Sequence, residues 1–377
     1  MGNAEKSSFR WLCTGDEAFA EMLVAIAAAQ TSVRLEMYIF DAGPLGEKFR
    51  TALTHACQRG VGVHVLIDAA GSITLSENFW AELAAVGGHF RWFNRLTFAR
   101  FGMRDHRKSL ICDESLAFVG GFNIAPEYQG DGVTAGWRDL GLKIAGPLAN
   151  HLAAAFDEMF SIAEFKPKPF ARLRKSPPKK LVTLPEAELL LSAPGRLKNP
   201  LKRALRLDLE RAQSVQIISA YFLPTWRIRL SLLRIARRGG KVQLILPGKS
   251  DVPVSRLAGQ SLYGRLMRAG VEIYEYQPQI LHAKMIVIGN AVYAGSANLD
   301  TRSLHLNYEL LVRLTEAKVV AGARRIFSDD LKNCQRIDPV LWKKSRTFLD
   351  KLKARWAHFI LARLDPLISI HQWKVKR

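Results

Sequence analysis

His106-Arg107-Lys108-Ser109-Leu110-Ile111-Cys112-Asp113 and His282-Ala283-Lys284-Met285-Ile286-Val287-Ile288-Gly289 are two copies of one pattern, one in each half of a 377-residue chain. In each, a histidine and a lysine two residues later open an apolar run of strand length. Residues i and i+2 of a strand point to the same side, so each histidine projects with its lysine. A glycine turn ending in asparagine follows each run: Gly120-Gly121-Phe122-Asn123, with Asn123 17 residues after His106, and Gly295-Ser296-Ala297-Asn298, with Asn298 16 residues after His282. Trp137-Arg138-Asp139 and Asn307-Tyr308-Glu309 then place an acid in a strand-like segment, 33 and 27 residues beyond the corresponding histidine.

Upstream of each copy the duplication continues. Val33–Phe40 corresponds to Val215–Phe222, and Phe49–Arg59 and Ile228–Arg238 both read as helices that run into glycine. Val61–Asp68 and Lys241–Leu246 are apolar runs suited to buried strands. Leu83–Gly87 with Phe90–Phe93 mirrors Leu266–Gly270 with Val271–Tyr276. Strands alternating with helices predict an α/β fold made of two pseudo-symmetric α/β sandwich halves that share one active site. The expected organisation is a first half over 9–165, a linker over 166–185, a second half over 186–335 and a basic amphipathic tail over 336–377. Lys166–Lys180 contains four prolines, seven Lys or Arg and no acid, the texture of a basic linker.

Composition narrows the function. Apolar residues at 48% and charged residues at 24% are those of an ordinary globular protein. The charge is not ordinary: 55 Lys and Arg against 34 Asp and Glu give +21, which implies a polyanionic partner, nucleic acid or an anionic membrane. Cys13, Cys57, Cys112 and Cys334 are scattered without a C-x-x-C pair, which argues against a zinc knuckle or a disulfide framework and for a reducing compartment. Met1–Ser8 lacks a signal-peptide pattern, and Met22–Ala29 is far short of the roughly 20 apolar residues that cross a bilayer. The expected location is therefore cytoplasmic, peripheral on the inner face of the cell membrane.

The paired constellations suit phosphoryl chemistry without a metal or other cofactor. A carboxylate hydrogen-bonded to one imidazole nitrogen fixes the tautomer and raises the basicity of the other, the service expected of Asp139 and Glu309, each for the histidine of its own half. Lys108 and Lys284 supply charge to non-bridging oxygens, while Asn123 and Asn298 supply neutral donors. One imidazole attacks phosphorus and the other manages the proton of the leaving and entering oxygens.

These motifs resemble the phospholipase D superfamily, in which H-x-K-x4-D occurs twice on a two-sandwich architecture. His106, Lys108 and Asp113 complete the motif; the second copy has His282 and Lys284 but Gly289 in place of the aspartate. Tyr221-Phe222-Leu223-Pro224, Arg237-Arg238-Gly239, Gly295–Ser303 and Phe101-Gly102-Met103-Arg104 are similar to bacterial cardiolipin synthases of the short, peripheral type. The resemblance implies transfer of a phosphatidyl group to phosphatidylglycerol, with phosphatidylethanolamine as a second lipid partner. It also implies His106 as nucleophile, His282 as general acid and base, and a structural service for the motif aspartate.

Two other readings compete: a phosphodiesterase hydrolysing phospholipid or nucleic acid, and a non-catalytic protein that binds anionic membranes, for which Gly289 speaks. In the tail, Phe348, Leu349, Leu352, Trp356, Phe359 and Ile360 recur at helical spacing opposite Lys351, Lys353 and Arg355. This stripe, with Trp342 and Trp373, suits either a bilayer interface or the protein's own core.

Overall fold

The apolar runs of each repeat become the central strands of a sheet. A computed structural model describes residues 6–95, 103–163, 180–185, 187–194 and 199–364. In the first half, β1 (Ser8–Leu12), β2 (Ser32–Met37), β3 (Gly62–Asp68), β4 (His89–Phe93), β5 (Ser109–Cys112), β6 (Leu116–Gly120) and β7 (Gly141–Ala145) form one sheet in the order β1-β7-β6-β5-β2-β3-β4. The second half contributes β8 (Lys180–Thr183), β9 (Ala187–Ser192), β10 (Ser214–Ser219), β11 (Lys241–Pro247), β12 (Glu272–Tyr276), β13 (Lys284–Ile288), β14 (Ala291–Gly295), β15 (Glu309–Leu314) and β16 (Cys334–Arg336). Their order, β8-β9-β15-β14-β13-β10-β11-β12-β16, repeats the first sheet once the edge strands β8 and β16 are set aside. In both halves the strand before the first crossover helix pairs parallel to the next strand and antiparallel to the strand of the histidine motif.

The two sheets face one another across the largest core. Ile111, Leu142 and Ile144 of the first sheet and Val287, Leu310 and Val312 of the second belong to it. So do Leu152 and Phe156 of the helix Pro147–Ala163, and Val320 and Phe327 of the helix Ala317–Leu331. The outer faces are covered separately, by Gly15–Ala28 and Pro44–Gln58 on the first sheet and by Pro200–Arg211 and Trp226–Arg237 on the second. Proline in the first turn of Pro44–Gln58 and Pro200–Arg211 fits a position whose N–H has no helical partner.

Some boundaries differ from the sequence reading. β2 and β10 stop at Met37 and Ser219, three residues short of Phe40 and Phe222, because the chain turns aside there to meet the asparagine turns. Phe40 bridges to Ile124 and Phe222 to Leu299, each partner being the residue after the asparagine. Lys180–Thr183, read as the end of the linker, is a strand that pairs with β9. Residues 164 and 165 at the end of the first half, 166–179 of the linker, Phe101, Gly102 and Trp373 lie outside the described residues. The tail begins as the helices Pro339–Ser345 and Phe348–Phe359, the second opened by a capping box between Thr347 and Asp350. Among the described residues no helix is long and apolar enough to cross a membrane.

Candidate active site

Both histidine motifs reach the junction of the halves, where the backbone of each half pairs with the other. His106 N–H donates to Tyr308 O at 3.0 Å, and Tyr308 N–H donates to Arg104 O at 2.9 Å. The mirror arrangement has His282 N–H donating to Arg138 O at 2.8 Å and Arg138 N–H donating to Ile280 O at 2.9 Å. Tyr308 and Arg138 immediately precede the two acids, so this pairing delivers each carboxylate to the histidine of the opposite half. His106 Nδ1 lies 3.1 Å from Glu309 Oε2, and His282 Nδ1 lies 2.6 Å from Asp139 Oδ2. The expected partnering within each half is therefore wrong, because chain spacing along a repeat does not register a bridge made between repeats.

The carboxylates are held differently. Ser296 Oγ donates to Glu309 Oε2 at 2.5 Å. At the matching place in the first half stands Gly121, and a Cβ there would come within 2.0 Å of Asp139 Oδ1. The shorter aspartate thus sits against a glycine and accepts the Leu140 N–H at 2.8 Å, while the longer glutamate leans on a hydroxyl. Arg138, in a buried ion pair with Asp330 at 2.8 Å, anchors the segment that carries Asp139 to a helix of the second half.

Lys108 and Lys284 are buried beside their histidines, and each Nζ donates to the backbone oxygen of its own motif histidine. Asn123 accepts the Ile39 N–H at 3.0 Å and donates to Tyr128 Oη at 2.6 Å, and that oxygen is 3.4 Å from His282 Nε2. Tyr128 thereby lies between Asn123 and His282. Asn298, expected as a donor, instead leaves an acceptor open, its buried Oδ1 lacking a partner. An unmatched buried acceptor costs about 1–3 kcal/mol and suits an incoming hydroxyl. The sequence reading missed Tyr128, Ser296 and Tyr38, whose ring packs edge-on to His106 at 4.9 Å between centroids. Only Ser296 carried a signal, as part of the second glycine turn.

Asp113 is not part of this cluster. It ends β5 at the far side from Lys108, with φ at +53°, and its carboxylate accepts the N–H groups of Gln30, Thr31 and Ser32 at 2.8–3.1 Å and the Thr31 hydroxyl at 2.9 Å. Gly289 takes the same backbone conformation, φ +52°, and the same backbone bond: Gly289 N–H donates to Ser214 O at 3.0 Å as Asp113 N–H donates to Ser32 O at 2.8 Å. Loss of the second motif aspartate therefore removes a turn brace and leaves the second histidine, lysine and acid in place.

Burial pushes the His106 imidazole down to about 4, and Lys108 and Lys284 push the same way against the opposing pull of Glu309. Burial and the neighbouring Lys284 also bring Lys108 down to about 7, and burial lowers His282 and Lys284. Burial alone would raise Asp139 and Glu309, but the adjacent cations and histidines outweigh it and hold both below the ordinary carboxylate range. The cluster consequently offers two oriented imidazoles, at least one neutral, and two lysines whose protonated forms repel one another, a repulsion that a phosphodiester anion would relieve. Among the described residues no three His, Cys, Asp or Glu side chains converge as a metal site.

The family model described as "Cardiolipin synthase, PLD-like domain" matches residues 22–160 and 205–331. Cardiolipin synthase 1 of Bacillus anthracis is 32% identical, over 97% of this chain and 73% of its own. Cardiolipin synthase B of Salmonella typhimurium is 29% identical, over 98% of this chain and 91% of its own. The crystal structure of phosphatidylserine synthase from Haemophilus influenzae superposes with a TM-score of 0.74 at 13% identity, over 96% of this chain and 95% of that one, which bears out the fold. With both halves matched by the family model, and relatives aligned along nearly the whole sequence, the chain belongs to the family of cardiolipin synthases with phospholipase D-like domains.

Proposed function

We propose that the chain is a phosphatidyltransferase that forms cardiolipin by moving a phosphatidyl group to the hydroxyl of phosphatidylglycerol. The observation that carries this reading is the crossed pair of buried histidine–carboxylate contacts, with a lysine beside each histidine. His106 Nε2, neutral near pH 7, attacks phosphorus; a P–N bond forms and the donor's P–O bond breaks, while His282 gives a proton to the departing alkoxide. The acceptor hydroxyl then yields its proton to His282 and its oxygen displaces His106, restoring both imidazoles. Lys108 and Lys284 balance the non-bridging oxygens, and Asn298 takes a hydrogen bond from an entering hydroxyl. The donor is a second phosphatidylglycerol, releasing glycerol, or phosphatidylethanolamine, releasing ethanolamine.

The tail supports action on an anionic membrane at the inner face of the cell membrane. Phe348–Phe359 packs on the helix Pro253–Met267 through its small residues Ala354 and Ala357 and leaves Phe348, Leu349 and Trp356 76%, 63% and 58% exposed. The core was one of two destinations open to this stripe, and these side chains do not enter it. Lys351, Lys353 and Arg355 flank the stripe, and Trp226 is exposed at the start of another basic helix. Apolar side chains rimmed by cations fit a bilayer interface.

Mass spectrometry of lipids after incubation with phosphatidylglycerol vesicles, with and without phosphatidylethanolamine, tests the reading. Cardiolipin from the wild type, lost in His106→Ala and His282→Ala, is the expected outcome. Phosphatidic acid in its place means hydrolysis, and no lipid product from folded protein refutes a lipid substrate.

A further inference from the structure

Beside Tyr221, and outside the cluster just described, lies a cavity of about 150 Å³. Apolar cavities of about that size accept a benzene-sized molecule. Leu223, Val252 and Leu361 form its walls with the ring of Tyr221. The Tyr221 hydroxyl is committed elsewhere, donating to Asp251 Oδ2 at 2.5 Å, so the residue offers this space mainly ring surface. The same ring lies edge-on to His282, 6.5 Å between centroids.

Two further walls give the cavity a direction. Arg302, which begins four residues beyond Asn298, contributes a cation to the lining, and its charge is felt by Tyr38, the residue packed on His106. Leu361 comes from the other side, from the turn that ends the tail helix, where it packs with Leu223, Ala258 and Ala357. Its chain neighbour Ile360 is exposed at the end of the apolar stripe. Ser255, Asp300 and Thr301 complete the lining, the Asp300 carboxylate lying within the electrostatic reach of Arg302. The polar part of the space thus adjoins the turn that follows Asn298, and its aliphatic walls, Leu223, Val252 and Leu361, lead to the tail helix. Phosphate at one end and hydrocarbon at the other is the chemistry of a phospholipid.

We propose that this cavity receives the first part of an acyl chain of the phospholipid under reaction, and that Leu361 makes the tail helix one of its walls. The inference rests on the lipid-transfer reading and adds to it a site for the chain. A single segment then serves two ends: its outer face meets the bilayer, and its terminal leucine closes the space the lipid enters. Membrane docking and substrate entry are consequently linked through the seating of one helix.

The test uses the full chain and two space-filling variants, Leu361→Trp and Val252→Trp. Rates are measured on dioleoyl phosphatidylglycerol vesicles and on bis(p-nitrophenyl) phosphate, a diester without acyl chains. The expected result is at least a tenfold fall in the ratio of the first rate to the second, in both variants. An unchanged ratio overturns the proposal, whether both rates hold or both fall together. A second measurement needs neither tryptophan variant nor turnover: in Leu361→Cys, alkylation of the new thiol by a maleimide is followed at the peptide level. Didecanoyl phosphatidylglycerol below its micellar concentration should slow that reaction at least fivefold, and glycerol phosphate should not. Equal rates with either additive overturn the proposal. Absence of lipid product with protection intact would instead count against the transferase reading and leave the chain site standing.

Discussion

Glu309→Gln and Asp139→Asn keep side-chain size and remove one charge each, and the crossed geometry predicts that they damage different steps. Glu309 serves His106 at 3.1 Å and Asp139 serves His282 at 2.6 Å, all four side chains being buried. A hydrogen bond to a charged group contributes about 1.5–3 kcal/mol, which is roughly a 10- to 150-fold change in rate. The shorter Asp139 contact belongs at the upper end of that range. Loss of Glu309 also removes the group that raises His106 basicity, so the imidazole becomes a poorer nucleophile. The assay is rapid-quench kinetics with a phosphatidyl p-nitrophenyl ester, whose leaving group needs no protonation. Glu309→Gln should slow the p-nitrophenol burst by roughly 10- to 100-fold. Asp139→Asn should leave the burst near wild type and slow the turnover that follows, so that phosphatidylated enzyme accumulates. The reasoning is refuted if Asp139→Asn slows the burst while Glu309→Gln spares it, or if both slow it alike.

Other expectations follow from the same contacts. Asp113→Ala removes the acceptor of three backbone N–H groups and one hydroxyl, and should cost about 2 kcal/mol in urea unfolding with kcat within threefold of wild type; a large loss of kcat at unchanged stability would count against a turn brace. Gly289→Asp meets open space at φ +52°, a conformation aspartate already adopts at Asp113, so its unfolding midpoint should stay level or rise; a fall of more than about 1 kcal/mol contradicts the equivalence of the two turns. For pH, His106 must be unprotonated to attack, so kcat/KM should fall as pH drops through about 4; Lys108 must be charged to hold phosphate, so kcat/KM should also fall as pH rises through about 7. A profile flat from pH 5 to 9 would contradict the second limb. Replacing Phe348, Leu349 and Trp356 together by serine should weaken sedimentation with anionic vesicles at least tenfold while bis(p-nitrophenyl) phosphate hydrolysis persists; undiminished sedimentation removes the tail from membrane binding.

Much of the site was legible because its parts are local in sequence. His106 and Lys108, or His282 and Lys284, announce themselves two residues apart, and the strand that follows each is one apolar run. The repeat of the central strands was readable for the same reason, each half stating its own alternation of helix and strand, whereas β1, β6, β9 and β14 were not singled out. What spacing did not carry was contact between the halves. Asp139 and Glu309 were recognisable as acids near the chemistry, yet their partners are decided by backbone bridges at Arg138 and Tyr308 that link distant segments. Tyr128 went unnoticed because it acts through one hydrogen bond from Asn123 and one contact with His282. The apolar stripe of the tail was plain, but its direction depended on Ala354 and Ala357, two small residues that give a helix face no hydrophobic signature.

The exchange of carboxylates also bears on how such a duplicated chain can drift. A substitution at Asp139 spares the histidine encoded beside it and harms the one encoded in the other copy; a substitution at Glu309 does the reverse. Neither copy can decay quietly under cover of its sibling, since the injury always surfaces across the junction. The differences that persist respect this rule: aspartate on glycine in one copy and glutamate on serine in the other are two solutions to the same reach. The missing brace at Gly289 lies where no such reciprocity applies, so a change there is confined to its own half.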